Sequence, residues 1–148
     1  MIFMKYVLKR LIFTYYAIYI GAVLIALLGF QLFKSGVIID SQSSMGIAIN
    51  SILILYIIGS IPVTLALFNK KTKKWALMED VNTKLNVYKK AAIIRLIIIG
   101  SGFMLGILFF FLMNSQSMIF CAGISAIALF FCKPAEVKII SELQITDI

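Results

Sequence analysis

The chain has 148 residues, of which 62% are hydrophobic and only 14% are charged, and its mean hydropathy is +1.06. Soluble domains average about 45–50% apolar and about 25% charged residues, so this composition excludes an ordinary soluble domain and makes the lipid bilayer the expected solvent. The formal net charge is +8. The chain contains no histidine, which removes the commonest metal ligand and the commonest general base.

Four apolar runs predict an all-α fold, an integral membrane bundle of four transmembrane helices in a single membrane domain, residues 1–148. A helix needs about 20 apolar residues to cross the hydrocarbon core. The predicted spans are residues 11–33, 45–68, 91–113 and 116–132, followed by a cytoplasmic tail, residues 133–148. The short link "NSQS" makes the last two spans a tight antiparallel hairpin, and the fourth span recruits part of it to gain length.

The segment between the second and third spans, residues 72–90, predicts an amphipathic cytoplasmic helix. Its apolar side chains recur at steps of three or four residues, which places them on one helical face. They are Trp75, Met78, Val81, Leu85 and Tyr88. This stripe is a candidate partner- or lipid-binding surface, which either lies in the headgroup plane or packs against a helix of a partner. A simple extension of helix two or three is the remaining alternative.

The tail predicts a second, smaller surface helix. Pro134 suits a first helical turn, and Glu136 in that turn complements the helix dipole. Val137, Ile140 and Leu143 form a short apolar stripe. We therefore expect the tail to form a small amphipathic helix on the cytoplasmic side.

The basic residues lie on one side of the predicted spans. Of the 14 Lys and Arg residues, only Lys34 lies on the other side. Because Lys and Arg concentrate in short cytoplasmic loops, the pattern predicts a multi-pass membrane protein with both termini cytoplasmic. The same placement attributes the positive charge to topology and to contact with anionic lipid headgroups, and we expect no nucleic-acid partner.

Arg95 is the only charged residue inside a predicted span. It is the fifth residue of span three, about 6 to 7 Å from the cytoplasmic end, so its side chain can reach the lipid phosphates. An intramembrane charge also suggests a role in substrate binding or gating. Arg95 is therefore a candidate lipid- or partner-binding residue.

Small residues predict close packing of helices three and four. Gly102 and Gly106 form a GxxxG pattern, and Ala122 and Ala126 have the same spacing in the next span. In lipid, small residues allow two helix backbones to approach closely. Since the tight turn makes these helices neighbours, we expect intramolecular packing, with homodimerisation as the alternative.

The predicted spans contain no Asp or Glu. A proton-coupled carrier needs a protonatable group in the bilayer. The small multidrug-resistance transporters also have four short helices, but they carry a glutamate in the first helix, where this chain has Thr14, Tyr15 and Tyr16. That family is excluded. A serine nucleophile would also lack a base, so we expect no enzymatic activity, no cofactor and no metal site.

The sequence "FFCKPAEVKIISEL", residues 130–143, follows four spans and a lysine-rich central loop. In this arrangement the chain resembles small, uncharacterised four-helix inner-membrane proteins of the Bacteroidota type. The resemblance covers most of the chain and implies a bacterial cytoplasmic membrane. It implies no activity.

These features favour a non-enzymatic accessory or scaffold subunit that interacts with another membrane component or with anionic lipid. Its expected partners are membrane lipids with anionic headgroups and another membrane protein or a second copy of itself. The alternative is a homo-oligomeric channel or small transporter, because four helices alone leave little room for a pathway. The polar residues available to line one are Asn50, Ser51, Tyr56, Ser60 and Arg95.

Reporter fusions test the predicted topology. Green fluorescent protein fused to the C-terminus should fluoresce, and alkaline phosphatase fused there should be inactive, because four spans and cytoplasmic basic loops leave the C-terminus inside. Phosphatase inserted beside Lys34 should be active and serves as the control. An active phosphatase at the C-terminus would contradict the prediction and favour an odd number of spans.

Overall fold

A computed structural model describes residues 2–36, 38–40 and 42–146 and gives five α-helices over those ranges. The described residues contain no strand, so the expected all-α class is confirmed. The helices are α1 (Ile2–Lys34), α2 (Ser44–Ala76), α3 (Val81–Met113), α4 (Gln116–Phe131) and α5 (Glu136–Leu143).

Helices α1, α2 and α3 are each long and apolar enough to cross a membrane. Each has 33 residues and is therefore about 50 Å long, well beyond a hydrocarbon core of about 30 Å. Helix α4 has 16 residues and meets the same test only together with α5, from which it is bent by 76°. The structure is compatible with a multi-pass membrane protein, but the predicted fourth span is not confirmed.

The separate amphipathic helix predicted for residues 72–90 is not confirmed. Those residues form the end of α2 and the start of α3, joined by the short turn 77–80. Residues 69–76 contain neither glycine nor proline, so α2 can keep its backbone hydrogen bonds beyond the apolar run. The structure agrees instead with the remaining alternative, in which helices two and three extend beyond their apolar runs.

Asp80 determines where α3 begins. Its carboxylate accepts hydrogen bonds from the backbone N–H of Asn82 and from the hydroxyl of Thr83. Asp is a favoured N-cap residue because it satisfies an amide that the helix leaves without a partner. The Thr83 hydrogen bond, with a smaller contribution from the Asn82 amide, lowers the pKa of Asp80, so the carboxylate keeps its charge to a lower pH than a free Asp would.

Helix α3 is the central element and packs against α1, α2 and α4. Gly100 allows α1 to approach it, since a Cβ built there would lie 2.8 Å from Ile18. Gly106 does the same for α4, because a Cβ at this position would lie 3.1 Å from the Cβ and the backbone N of Ala122. The middle of the bundle is closed by apolar side chains such as Ile57, which is fully buried.

The predicted small-residue positions lie inside this packing. Gly102 faces Ile57 of α2 and Ser125 of α4, while Ala122 is buried and Ala126 is half-buried. The GxxxG glycines thus contact helices of the same chain. Homodimerisation through them remains a prediction.

A second apolar cluster lies at the end of the bundle that carries most of the lysines, which we call the basic end. It is formed by residues from the start of α1, the end of α2, the start of α3, and α5 with the residues after it. Its buried members are Met4, Val7, Leu11, Phe68, Trp75, Leu85, Tyr88, Ala92, Ile139, Leu143 and Ile145. The parts of the long helices that exceed the hydrocarbon thickness therefore have a core of their own.

Helix α5 packs on the basic end. Ile139 and Leu143 are buried in its core, and the buried Lys84 ammonium donates to the Leu143 carbonyl at 3.2 Å. A positive group at a helix C-terminus also complements the helix dipole. The predicted stripe was partly wrong, because Val137 is exposed and Ile139 takes its place in the core.

The outer surface of the bundle is strongly apolar. Large side chains remain exposed on several helices, including Phe13 and Leu24 of α1, Leu55 of α2 and Phe120 of α4. Soluble monomers rarely expose continuous apolar surface on this scale, so the pattern is typical of lipid-facing helices.

Replacing Gly106 with alanine should lower the free energy of unfolding by about 1–3 kcal/mol, because the new methyl group would overlap the backbone of α4. The control is Gly123→Ala, since nothing lies within 4 Å of a Cβ built there. That variant should be unchanged or more stable by up to about 1 kcal/mol. Denaturation in mixed micelles measures both, and equal effects would contradict the α3–α4 interface.

Candidate functional site

The candidate functional site is centred on Arg95, near the start of the apolar part of α3. The side chain is only 6% exposed. Its guanidinium carbon lies 3.8 Å from the centroid of the Phe68 ring on α2. A ring face attracts a cation electrostatically, and the attraction is stronger where water is excluded. The Phe68 ring therefore replaces part of the solvation that Arg95 loses on burial.

Phe68 connects several elements of the basic end. Its ring meets the Trp75 ring edge to face at a centroid distance of 6.0 Å and the Tyr88 ring at 5.3 Å. Such pairs add about 0.5–1.5 kcal/mol each beyond the burial of their area. The ring under Arg95 is thus held by contacts from both α2 and α3.

Tyr88 extends this cluster to the tail. Its hydroxyl donates a hydrogen bond to Oε2 of Glu142 on α5 at 2.5 Å. The Arg95 guanidinium also lies near this hydroxyl. One phenol therefore lies between a positive group from α3 and a negative group from α5.

The Nε atom of Arg95 is buried and has no hydrogen-bond partner among the described residues. A buried donor without an acceptor costs about 1–3 kcal/mol, and more when the group is charged. Buried charges in proteins are normally paired or hydrogen-bonded. The hydrogen-bonding capacity of Nε is thus not used by any described residue.

A cavity of about 170 Å³ lies between α2 and α3 beside Arg95. Its polar lining consists of Thr64, Lys71, Trp75 and Arg95. The lining contains two cationic side chains and no carboxylate. The charge and hydrogen-bonding character of the cavity therefore suit an anion.

The predicted amphipathic stripe lies mostly inside the protein. Trp75 is 9% exposed, and Leu85 and Tyr88 are fully buried in the core of the basic end. Val81 is half-buried, and only Met78 is clearly exposed. The stripe faces inward because the turn at 77–80 folds α3 back along α2, which brings the two apolar faces together. It is a packing surface of the chain itself.

Two other pairs of polar groups within the bundle are engaged locally, while the buried Ser125 hydroxyl has no hydrogen-bond partner among the described residues. The Tyr15 and Tyr19 hydroxyls lie 3.3 Å apart, and the Tyr56 hydroxyl lies 2.9 Å from Oγ of Ser101. The described residues include no group of three or more His, Cys, Asp or Glu side chains arranged to hold a metal ion.

Three residues of the site were missed by sequence reasoning. Phe68 is one of many aromatic residues in the apolar runs, and nothing in the sequence marks it as the partner of Arg95. Lys71 is one lysine of a cluster whose charge is explained by topology. Glu142 lies in the tail, and only the fold brings it to Tyr88.

No family model matches the chain. No curated protein and no solved structure matches it either.

Tyr88→Phe should weaken the attachment of the tail to the basic end while leaving the aromatic cluster in place. A hydrogen bond to a charged group contributes about 1.5–3 kcal/mol, so local opening of α5 should become at least about tenfold more frequent. Hydrogen exchange of residues 136–145 in lipid nanodiscs measures this opening. Tyr16→Phe, at an exposed tyrosine of α1, is the control. Unchanged exchange in Tyr88→Phe would contradict the assigned role of the Glu142 contact.

Proposed function

We propose that the chain is a non-enzymatic accessory or scaffold subunit of the bacterial inner membrane, which holds another membrane component at its basic end. In this proposal the chain crosses the membrane four times, and the positive-inside rule places the basic end and both termini in the cytoplasm. Three helices of sufficient length and an apolar outer surface support embedding in a membrane.

The turn between α2 and α3 carries the proposal. Leu77 is 83% exposed and Met78 is 38% exposed, although the neighbouring Trp75 is buried. The last turns of α2 add exposed lysines at positions 70, 71, 73 and 74. The turn also carries the exposed Glu79 and Asp80 on its α3 side. The apolar tip therefore suits a partner that offers an apolar pocket whose rim is acidic where it faces the lysines of α2.

The residues at both ends of the turn are held in fixed positions, which favours a scaffold role. Trp75 anchors the last turn of α2 in the core of the basic end, and Asp80 caps the first turn of α3. A surface that is already ordered loses less conformational entropy on binding than a mobile loop does. The exposed apolar pair can therefore contribute to affinity without a large ordering cost.

The non-enzymatic part of the proposal rests on the available side chains. The chain has no histidine, and its predicted spans contain no carboxylate. The Tyr15–Tyr19 pair and the Tyr56–Ser101 pair connect hydroxyls to hydroxyls, which are poor general bases at neutral pH.

Replacing both Leu77 and Met78 with serine should abolish the association with the partner and leave the fold intact, because neither side chain belongs to the buried clusters. Native mass spectrometry of the protein extracted gently from its own membrane should show a second polypeptide with the original sequence and its loss from the double variant. Hot-spot apolar residues typically contribute 2 kcal/mol or more, so a loss of about thirtyfold or more in affinity is expected.

Val137→Ser is the matched control, since this apolar side chain is 79% exposed at the same end of the bundle. It should retain the partner. Retention of the partner by the double variant would contradict the assigned surface. A closed homo-oligomer without any other polypeptide would overturn the accessory role and favour a channel or small transporter.

A further inference from the structure

We propose that the cavity beside Arg95 binds a phosphate group, and that the phosphate belongs to the headgroup of a phospholipid. This site is separate from the exposed turn at Leu77 and Met78. Either assignment can therefore fail without the other.

The state of Arg95 favours a bound anion. The side chain is more than nine-tenths buried, lines the cavity, and has an Nε donor without a partner among the described residues. Its guanidinium is held in position by the Phe68 ring. A planar guanidinium fixed in place can form two parallel hydrogen bonds to the oxygens of one phosphate.

The arrangement of residues around the cavity also suits a phosphate. On α2, Thr64, Lys71 and Trp75 recur at helical spacing, so the hydroxyl, the ammonium and the indole all border the same groove. Lys71 is exposed and can move, whereas Arg95 is fixed. The mobile Lys71 ammonium can move over an anion once that anion has entered the cavity and bound to the fixed Arg95 guanidinium.

The apolar wall of the cavity indicates the source of the phosphate. Leu67 and Ile94 border the cavity and are 52% and 58% exposed, and Ile98 continues the apolar wall one turn deeper along α3. A free phosphate ion gains nothing from such a wall, whereas an acyl chain does, at about 0.8 kcal/mol for each buried CH₂. Lys71 and Arg95 each lie one turn nearer the basic end than Leu67 and Ile98, which extend the apolar wall towards the middle of the bundle, and this is the order of groups in a phospholipid.

The test measures binding of three probes to the full chain in dodecyl maltoside by native mass spectrometry. Dioleoyl phosphatidylglycerol carries both the phosphate and the acyl chains, dioleoylglycerol carries only the chains, and inorganic phosphate carries only the anion. The proposal expects phosphatidylglycerol to bind at least about tenfold more tightly than dioleoylglycerol, since a hydrogen-bonded charge pair in a partly dry site is at stake.

The variants locate the site. Arg95→Gln should weaken binding of phosphatidylglycerol by about tenfold or more, and Lys71→Gln should weaken it several-fold. Lys74→Gln is the matched control: it removes the same charge from α2 but does not line the cavity, so its effect should stay below about twofold. Because Lys71 is exposed, Lys71→Gln keeps the test valid even if Arg95→Gln does not fold.

One outcome would support the phosphate site but assign it to the free ion. In that outcome inorganic phosphate competes for binding, this competition is lost in Lys71→Gln, and phosphatidylglycerol binds no more tightly than dioleoylglycerol. Equal binding of phosphatidylglycerol and dioleoylglycerol, without competition by phosphate, would overturn the proposal. So would equal weakening by Lys71→Gln and Lys74→Gln, because a general attraction between cations and anionic lipid would then explain the binding.

Discussion

The burial of one positive charge at the edge of the apolar layer is the constraint on which the basic end depends. Arg95 is almost fully enclosed, and a charge in such a place needs a compensating environment. The Phe68 ring provides part of it from α2. The contact of Phe68 with Tyr88, and of Tyr88 with Glu142, then connects the same centre to α5.

The second constraint is the length of the helices. Continuation of α2 to Ala76 and of α3 from Val81 adds about 12 Å and about 15 Å beyond the apolar runs. Bare helix ends of this length would expose Trp75 and Leu85 to water. Their burial in the core of the basic end gives the bundle two layers, one with an apolar core and an apolar surface and one with an apolar core and a basic surface.

The sequence predicts the helices well where one physical rule dominates. The apolar runs mark α1, α2 and α3, and the small residues mark the close approach of Gly106 to Ala122. The central segment was predicted less well, because a change from apolar to charged residues shows where the lipid ends and not where a helix ends. The site was predicted only as far as Arg95, since its partner Phe68 and the tail residue Glu142 are brought to it by tertiary folding.

The central claim is that the basic end is one folded layer in which the tail is docked. Electron spin labels attached at Lys73→Cys on α2 and at Val137→Cys on α5 test this claim directly in nanodiscs, since both positions are exposed. The two native cysteines, Cys121 and Cys132, are replaced by alanine so that only the new positions are labelled. A docked tail predicts one narrow distribution of distances between the two labels. A broad distribution, as for a tail free on the membrane surface, would contradict the account.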